Sequence, residues 1–112
     1  MPKQARTKLS DKKWLPIRYR GFWDIPRMIA VEYGEWVYLL DCPFDDALDD
    51  YPQSFDVYRL SRDLTARFDE PSWVDLPRLG EKIGQLSVDD IELDPSARAG
   101  VNASFLEHVV RS

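Results

Sequence analysis

The chain has 112 residues, which is enough for one domain with a hydrophobic core but too few for two. Hydrophobic residues make up 44% and charged residues 31%, a composition that is typical of globular proteins and argues against a chain that is disordered throughout. The net charge of −5 is uneven: residues 1–27 have a net charge of +6, from eight basic and two acidic residues, and residues 28–112 have −11, from seven basic and eighteen acidic residues.

Targeting signals are the next feature to consider. The sequence has no run of about 18 apolar residues and no apolar segment after a charged N-terminus. We therefore expect a cytoplasmic protein that does not associate with a membrane.

The N-terminal part divides into a tail and a first strand. Residues 1–13 are polar and aperiodic, and we predict a flexible basic tail ahead of a single small β-rich domain over residues 14–112. From Leu15 to Trp23 apolar residues alternate with arginines, which is the pattern of a half-buried strand. The sequence then predicts a bend before the next strand, because a glycine and a proline interrupt the alternation.

Residues 27–44 are the most strongly patterned segment and predict a β-hairpin with a two-residue turn. Gly34 occupies the first turn position, where a type II′ turn needs a positive φ. This turn pairs Tyr33 with Trp36, whereas a turn one residue earlier would place Glu32 opposite another glutamate. In the predicted register both faces of the hairpin are largely apolar, so we expect it at the centre of the sheet with both faces covered.

The rest of the chain contains further short elements. Residues 54–61 and 82–87 have the composition of strands, and residues 61–70 fit either a short helix or a loop. Asn102 fits the N-cap of a terminal helix, whose apolar stripe we predict to cover the second face of the hairpin, the face of Val37. The fold class that follows is mainly β, a curled antiparallel sheet or small open barrel of about five to six strands around the central hairpin, with one or two short helices. A small α+β domain is the alternative.

Two groups of residues are candidates for function. The candidate interaction residues are Arg18, Arg20, Trp23, Arg27, Tyr33, Trp36 and Tyr38, and the aspartates of the candidate acidic loop are Asp41, Asp45, Asp46, Asp49 and Asp50. Aromatic and arginine side chains are enriched at the cores of protein interfaces. The aspartates offer oxygen ligands for a divalent cation, but their spacing does not match an EF-hand. We therefore assign no metal and favour a solvated acidic loop over a cation site.

The residues for catalysis and cofactor binding are sparse. Cys42 and His108 are the only cysteine and histidine, and they form no motif for a nucleophilic pair. The five glycines match neither GxGxxG nor GxxxxGK[ST]. We assign no catalytic residue and no cofactor, and the sequence favours a protein that is not an enzyme.

Three functions follow from these observations. We predict a non-catalytic protein-interaction module that binds a partner protein or a second copy of itself as a homodimer. The first alternative is a small β-barrel that binds single-stranded nucleic acid through its basic and aromatic N-terminal segment, although strand alternation places Tyr19 and its neighbouring arginines on opposite faces. The second alternative is a small-ligand or divalent-cation binding protein, or an enzyme, with its site at Arg27 and Asp41 at the open end of the hairpin.

Overall fold

The computed structural model describes residues 14–97 and 99–109, with the side chains of Trp23 and His108 left out. The described strands are β1 (Trp14–Trp23), β2 (Ile25–Tyr33), β3 (Trp36–Asp41), β4 (Ser54–Ser61), β5 (Glu81–Ser87) and β6 (Gly100–Asn102). They form one open antiparallel sheet in the order β5-β4-β3-β2-β1-β6. This confirms the predicted mainly β fold with the hairpin at its centre. The predicted basic tail lies outside the described residues.

The central hairpin has the predicted register. Tyr33 pairs with Trp36, and Val31 pairs with Tyr38. Gly34 has a φ of +63°, which glycine adopts without strain, and the residue after it does not have a positive φ. These are the requirements of the type II′ turn that the sequence predicts.

Short helices fill the connections between strands. The 3₁₀ helices span Arg62–Asp69, Leu76–Leu79 and Val88–Asp90, and a five-residue α-helix, α1, spans Phe105–Val109. Ser61 caps the first of them, because its hydroxyl oxygen accepts a hydrogen bond of 3.2 Å from the backbone N–H of Asp63. The short helix is therefore the one of the two alternatives predicted after β4 that the structure has. None of the helices in the described part of the chain has the length and apolar character needed to cross a membrane.

The segment over residues 62–79 covers the second face of the hairpin. The rings of Phe68 and Trp73 are buried and meet edge to face, with their centroids 5.1 Å apart. The indole N–H of Trp73 donates a 3.2 Å hydrogen bond to the backbone oxygen of Phe68, so its one polar atom is satisfied. Both rings belong to one buried cluster with Val37 and Leu39. We therefore name residues 62–79 the second-face cover.

Helix α1 packs on the first face of the hairpin, so the prediction that it covers the second face is wrong. Phe105 and Val109 lie in a buried cluster with Ile29 and Leu40. The reason is the preceding strand: β6 pairs with the start of β1, its Val101 enters the same cluster, and α1 starts after only two further residues. The C-terminal segment therefore begins beside β1 at one edge of the sheet and ends against β5 at the other.

Candidate functional site

A pocket of about 400 Å³ lies at the open end of the central hairpin. One wall consists of Arg20 and Gly21 from β1 with Arg27 and Met28 from β2. A second wall is the end of β3 and the loop after it, over residues 41–44, together with Tyr51, and a third wall is the part of the second-face cover over residues 71–74. We name this site the open-end pocket.

The pocket exists because β3 is shorter than the hairpin beside it. β3 ends at Asp41, which pairs with Met28, whereas pairing between β1 and β2 continues to Trp23 and Ile25. The tip of this longer hairpin is Asp24, whose φ of 75° lies in the left-handed region that aspartate tolerates better than most residues. The β1–β2 hairpin therefore extends past the end of β3 and leaves a recess beside it.

Arg20 is held in the pocket by the second-face cover. Its guanidinium lies over the ring of Trp73, 4.6 Å from the ring centre. The same group donates hydrogen bonds of 2.8 Å to the backbone oxygens of Tyr19 and Glu70 and a longer one, 3.5 Å, to that of Phe68. These contacts fix the position of one positive charge at the pocket wall.

Arg27, from β2 on the same wall, is fixed in a similar manner. Its guanidinium lies 4.3 Å from the centre of the Tyr51 ring and 3.6 Å from the sulfur of Cys42. The backbone N–H of Cys42 donates a 2.7 Å hydrogen bond to the backbone oxygen of Arg27, which joins the two strands at this end. Tyr51 in turn meets Phe44 edge to face at 5.2 Å. The pocket thus has a second arginine stacked on an aromatic ring.

Asp41 is the acidic group of the pocket. Its side chain is partly buried and lies across the sheet from Asp56. Burial, and then the negative charge of Asp56, raise the pKa of Asp41 to about 6. Asp56 itself has partners on β5, since its Oδ1 lies 3.3 Å from Nζ of Lys82 and accepts a 3.0 Å hydrogen bond from Gln85. The environment of Asp41 therefore disfavours its charged form.

Cys42 is buried and has the properties of a structural cysteine. Burial raises the pKa of its thiol, although the guanidinium of Arg27 acts in the opposite direction. The sulfur also lies 3.4 Å from the backbone oxygen of Pro52 as a hydrogen-bond donor. A thiol that stays protonated is a poor nucleophile. The side chain of His108, the other candidate for a nucleophilic pair, lies outside the described residues.

Comparisons with protein-family models, with curated proteins and with solved structures found no match for this chain.

The candidate interaction residues do not form one surface. Arg20 and Arg27 line the open-end pocket, whereas Arg18 forms ion pairs with Glu32 and Asp69, each at 3.4 Å. These acidic partners belong to β2 and to the second-face cover, so Arg18 connects parts of its own chain. The side chain of Trp23 is outside the described residues.

The aromatic candidates lie at the other end of the hairpin. Tyr38 is buried, whereas Tyr33 and Trp36 are 40% and 38% exposed beside the turn. Arg59 lies over the Trp36 ring at 4.5 Å and forms a 2.8 Å ion pair with Glu81. This turn end thus has the same type of arginine–aromatic stack as the pocket, but it does not line the pocket.

The acidic loop is organised by its own backbone. Asp45 and Asp50 form an isolated antiparallel bridge, and the carboxylate of Asp45 accepts a 2.9 Å hydrogen bond from the backbone N–H of Ala47. Asp46 and Asp49 are exposed. In the part of the chain that the structure describes, no three Cys, His, Asp or Glu residues are grouped so that they could hold a metal ion.

Sequence reasoning located the open end of the hairpin but missed the third wall of the pocket. Ser72 and Asp75 fit a capping box and predict that a brief helix starts at Ser72, whereas the helix starts at Leu76 and leaves Trp73 and Val74 in the loop before it. The available signal was a tryptophan in a short polar loop segment, since a large aromatic residue there usually packs against another element. The partner element cannot be chosen from the local pattern.

Proposed function

We propose that this protein is a non-catalytic interaction module that binds a segment of a partner protein in the open-end pocket. The observation that carries the proposal is the exposed apolar rim of a concave site: Val74 is 80% exposed and Phe44 is 47% exposed, and both line the pocket. Apolar side chains exposed around a recess are a common feature of docking sites. Arg20 and Arg27 are held by hydrogen bonds and ring contacts within the chain, so we expect a bound segment to meet a largely preformed surface.

The partner is proposed to be a different protein. The sequence suggested a second copy because the hairpin is apolar on both faces, but helix α1 and the second-face cover bury these faces within the chain. The nucleic-acid alternative has less support, because Arg18 is engaged with acidic groups of the protein itself and does not line the pocket with Arg20 and Arg27.

Selection of peptides tests the proposed function. Peptides would be selected from a random displayed library on the immobilised protein, and their affinities for two variants would then be measured by isothermal titration calorimetry. Val74→Glu places a charge on the exposed rim, so we expect affinity to fall by at least about tenfold. Leu79→Glu is the control, because Leu79 is an exposed apolar residue that does not line the pocket. Selected peptides that bind both variants as tightly as the unmodified protein would exclude the pocket as the interface.

The pKa of Asp41 favours a second candidate function, a small-ligand site or an enzyme at the same pocket. A carboxyl with a pKa near 6 exchanges its proton close to neutral pH, as general acids and bases do. Arg20 and Arg27 beside it could orient an anionic substrate. Screening of a metabolite library by ligand-observed NMR would test this candidate, and binding that depends on Asp41 and competes with the selected peptides would support it.

A further inference from the structure

We infer that the open-end pocket recognises the C-terminal residue of a partner chain, an apolar side chain together with its free carboxylate. This inference rests on the proposed function and adds the chemistry of the occupant. Its basis is the combination, within one pocket of about 400 Å³, of two fixed arginines and apolar walls.

The arginines supply the charge that a carboxylate requires. Arg20 and Arg27 both line the pocket, and each has one face of its guanidinium against an aromatic ring. With one face covered, a guanidinium can still bind a ligand in its plane, where its N–H groups lie. A carboxylate accepts two such hydrogen bonds side by side, and charge-assisted bonds of this kind are among the strongest in proteins.

Arg20 has N–H groups that its bonds to the protein do not use. A guanidinium has five N–H groups, and the described bonds of Arg20 to backbone oxygens involve Nη1 once and Nη2 twice. The Nε–H group and the second N–H of Nη1 are therefore not used by those bonds; they lie on different edges of the guanidinium, so each can donate one single hydrogen bond to a carboxylate oxygen. Because the bonds hold the side chain in place, little conformational entropy is lost when a ligand binds.

The balance of charge inside the pocket favours an anion. Two guanidinium groups face a single carboxyl, Asp41, among the lining side chains. The carboxylate of Asp45 in the neighbouring loop is occupied by backbone N–H groups of that loop. The lining therefore has more cationic than anionic side chains, in a protein that is acidic overall.

The remaining walls determine the rest of the ligand. Met28, Phe44 and Val74 present apolar surface next to the arginines. An apolar body with an anionic head could come from an acidic side chain beside an aromatic one, or from the last residue of a chain. We favour the last residue, because there the carboxylate and the apolar side chain lie on one residue, so that a pocket lined on three sides can contact both at once.

Three short peptides separate these possibilities by titration calorimetry and amide NMR. The first is acetyl-Gly-Gly-Phe with a free carboxylate, the second is the same peptide with a C-terminal amide, and the third is acetyl-Asp-Phe-amide, which has only a side-chain carboxylate. We expect the first to bind at least about tenfold more tightly than the second and the third. Its amide shifts should map to Gly21 and to Ser72, which line the pocket.

Arginine variants provide the matched controls. Arg20→Gln and Arg27→Gln should each remove most of the preference for the free carboxylate, and thermal melts would show that each variant is folded. Arg59→Gln should retain the preference, because Arg59 stacks on Trp36 in the same way but does not line the pocket. If Arg20→Gln does not fold, Arg27→Gln alone decides.

The peptide titrations distinguish failure of the C-terminal carboxylate from failure of the proposed interaction site. Equal affinity for acid and amide, or tighter binding of acetyl-Asp-Phe-amide, would overturn the C-terminal carboxylate and leave the interaction site intact. Failure of all three peptides to bind would also overturn this inference, whereas the proposed function would fail only if the library-selected peptides were insensitive to Val74→Glu.

Discussion

Asp41 lowers the stability of the folded protein at neutral pH, because its carboxyl is partly buried and faces Asp56. Its pKa is about 6 in the folded protein, compared with 3.8 in the absence of these effects. The folded state therefore binds this proton more tightly than the unfolded state, and stability is lost as the pH rises from about 4 to about 6. A rise of this size corresponds to at most about 3 kcal/mol, and solvent screening at a partly exposed site reduces it to about 1 kcal/mol. We expect Asp41→Asn to raise the free energy of unfolding by about that amount at pH 7.5 and to leave it nearly unchanged below pH 4, as measured by urea denaturation.

The control for this prediction is Asp46→Asn, an exposed aspartate of the same acidic loop. Its effect should stay within about 0.5 kcal/mol at both pH values. Destabilisation by Asp41→Asn at pH 7.5 would contradict the prediction and would mean that a nearby cation such as Arg27 stabilises the carboxylate.

At the scale of residues, the sequence predicted the cross-strand residue pairs within the central hairpin and missed those between β3 and β4. The pairing of Tyr33 with Trp36 follows from local charge and turn chemistry, and it is confirmed. The position of Asp56 opposite Asp41 depends on the register between β3 and β4, which are joined by a long loop. No local rule fixes a register across such a loop. The like-charge pair that adds to the effect of burial on the pKa of Asp41 therefore could not be predicted.

Trp73 is the largest buried side chain of the second-face cover, and its ring also lies beside Arg20. Removal of a buried tryptophan side chain leaves a cavity, so we expect Trp73→Ala to lower the free energy of unfolding by about 3–5 kcal/mol. Urea denaturation measures this change. Trp36→Ala is the matched control, since Trp36 lies exposed beside the turn and its cross-strand pair is worth only about 0.2–1 kcal/mol. Equal losses for the two variants would contradict the assignment of Trp73 to the core of the cover.

At the scale of elements, periodicity predicted which segments have an apolar face and failed to predict what that face contacts. The stripe of Phe105 and Val109 is present, but it packs on the first face of the hairpin. The face that helix α1 contacts depends on the position of β6, which has only three residues, Gly100–Asn102. A pairing this short produces no alternation that could be detected in the sequence. The third wall of the pocket was missed for the same reason, because it depends on how the second-face cover packs.

Helix α1 and the second-face cover bury the two faces of the central hairpin within the same molecule. This removes the reason for expecting a homodimer. The sequence predicted a possible homodimer because both faces of the hairpin are apolar, and the described residues of the chain now cover both. The exposed large apolar residues that remain lie mostly at the two ends of the hairpin, for example Trp36 at the turn and Val74 at the pocket. Scattered exposed residues of this kind are normal for a monomer, and a stable dimer usually needs a larger continuous patch.

We therefore expect a monomer across a dilution series in size-exclusion chromatography with light scattering. A mass that rises to that of two chains with increasing concentration would contradict this expectation, and two variants would then locate the interface. Loss of the dimer in Trp36→Ser would place the contact at the turn end, where Arg59 already stacks on the ring. Loss in Val74→Glu would place it at the open-end pocket, and the second copy would then occupy the site proposed for a partner. A monomer leaves both ends of the hairpin accessible at once, so that peptide binding at the pocket would not compete with self-association.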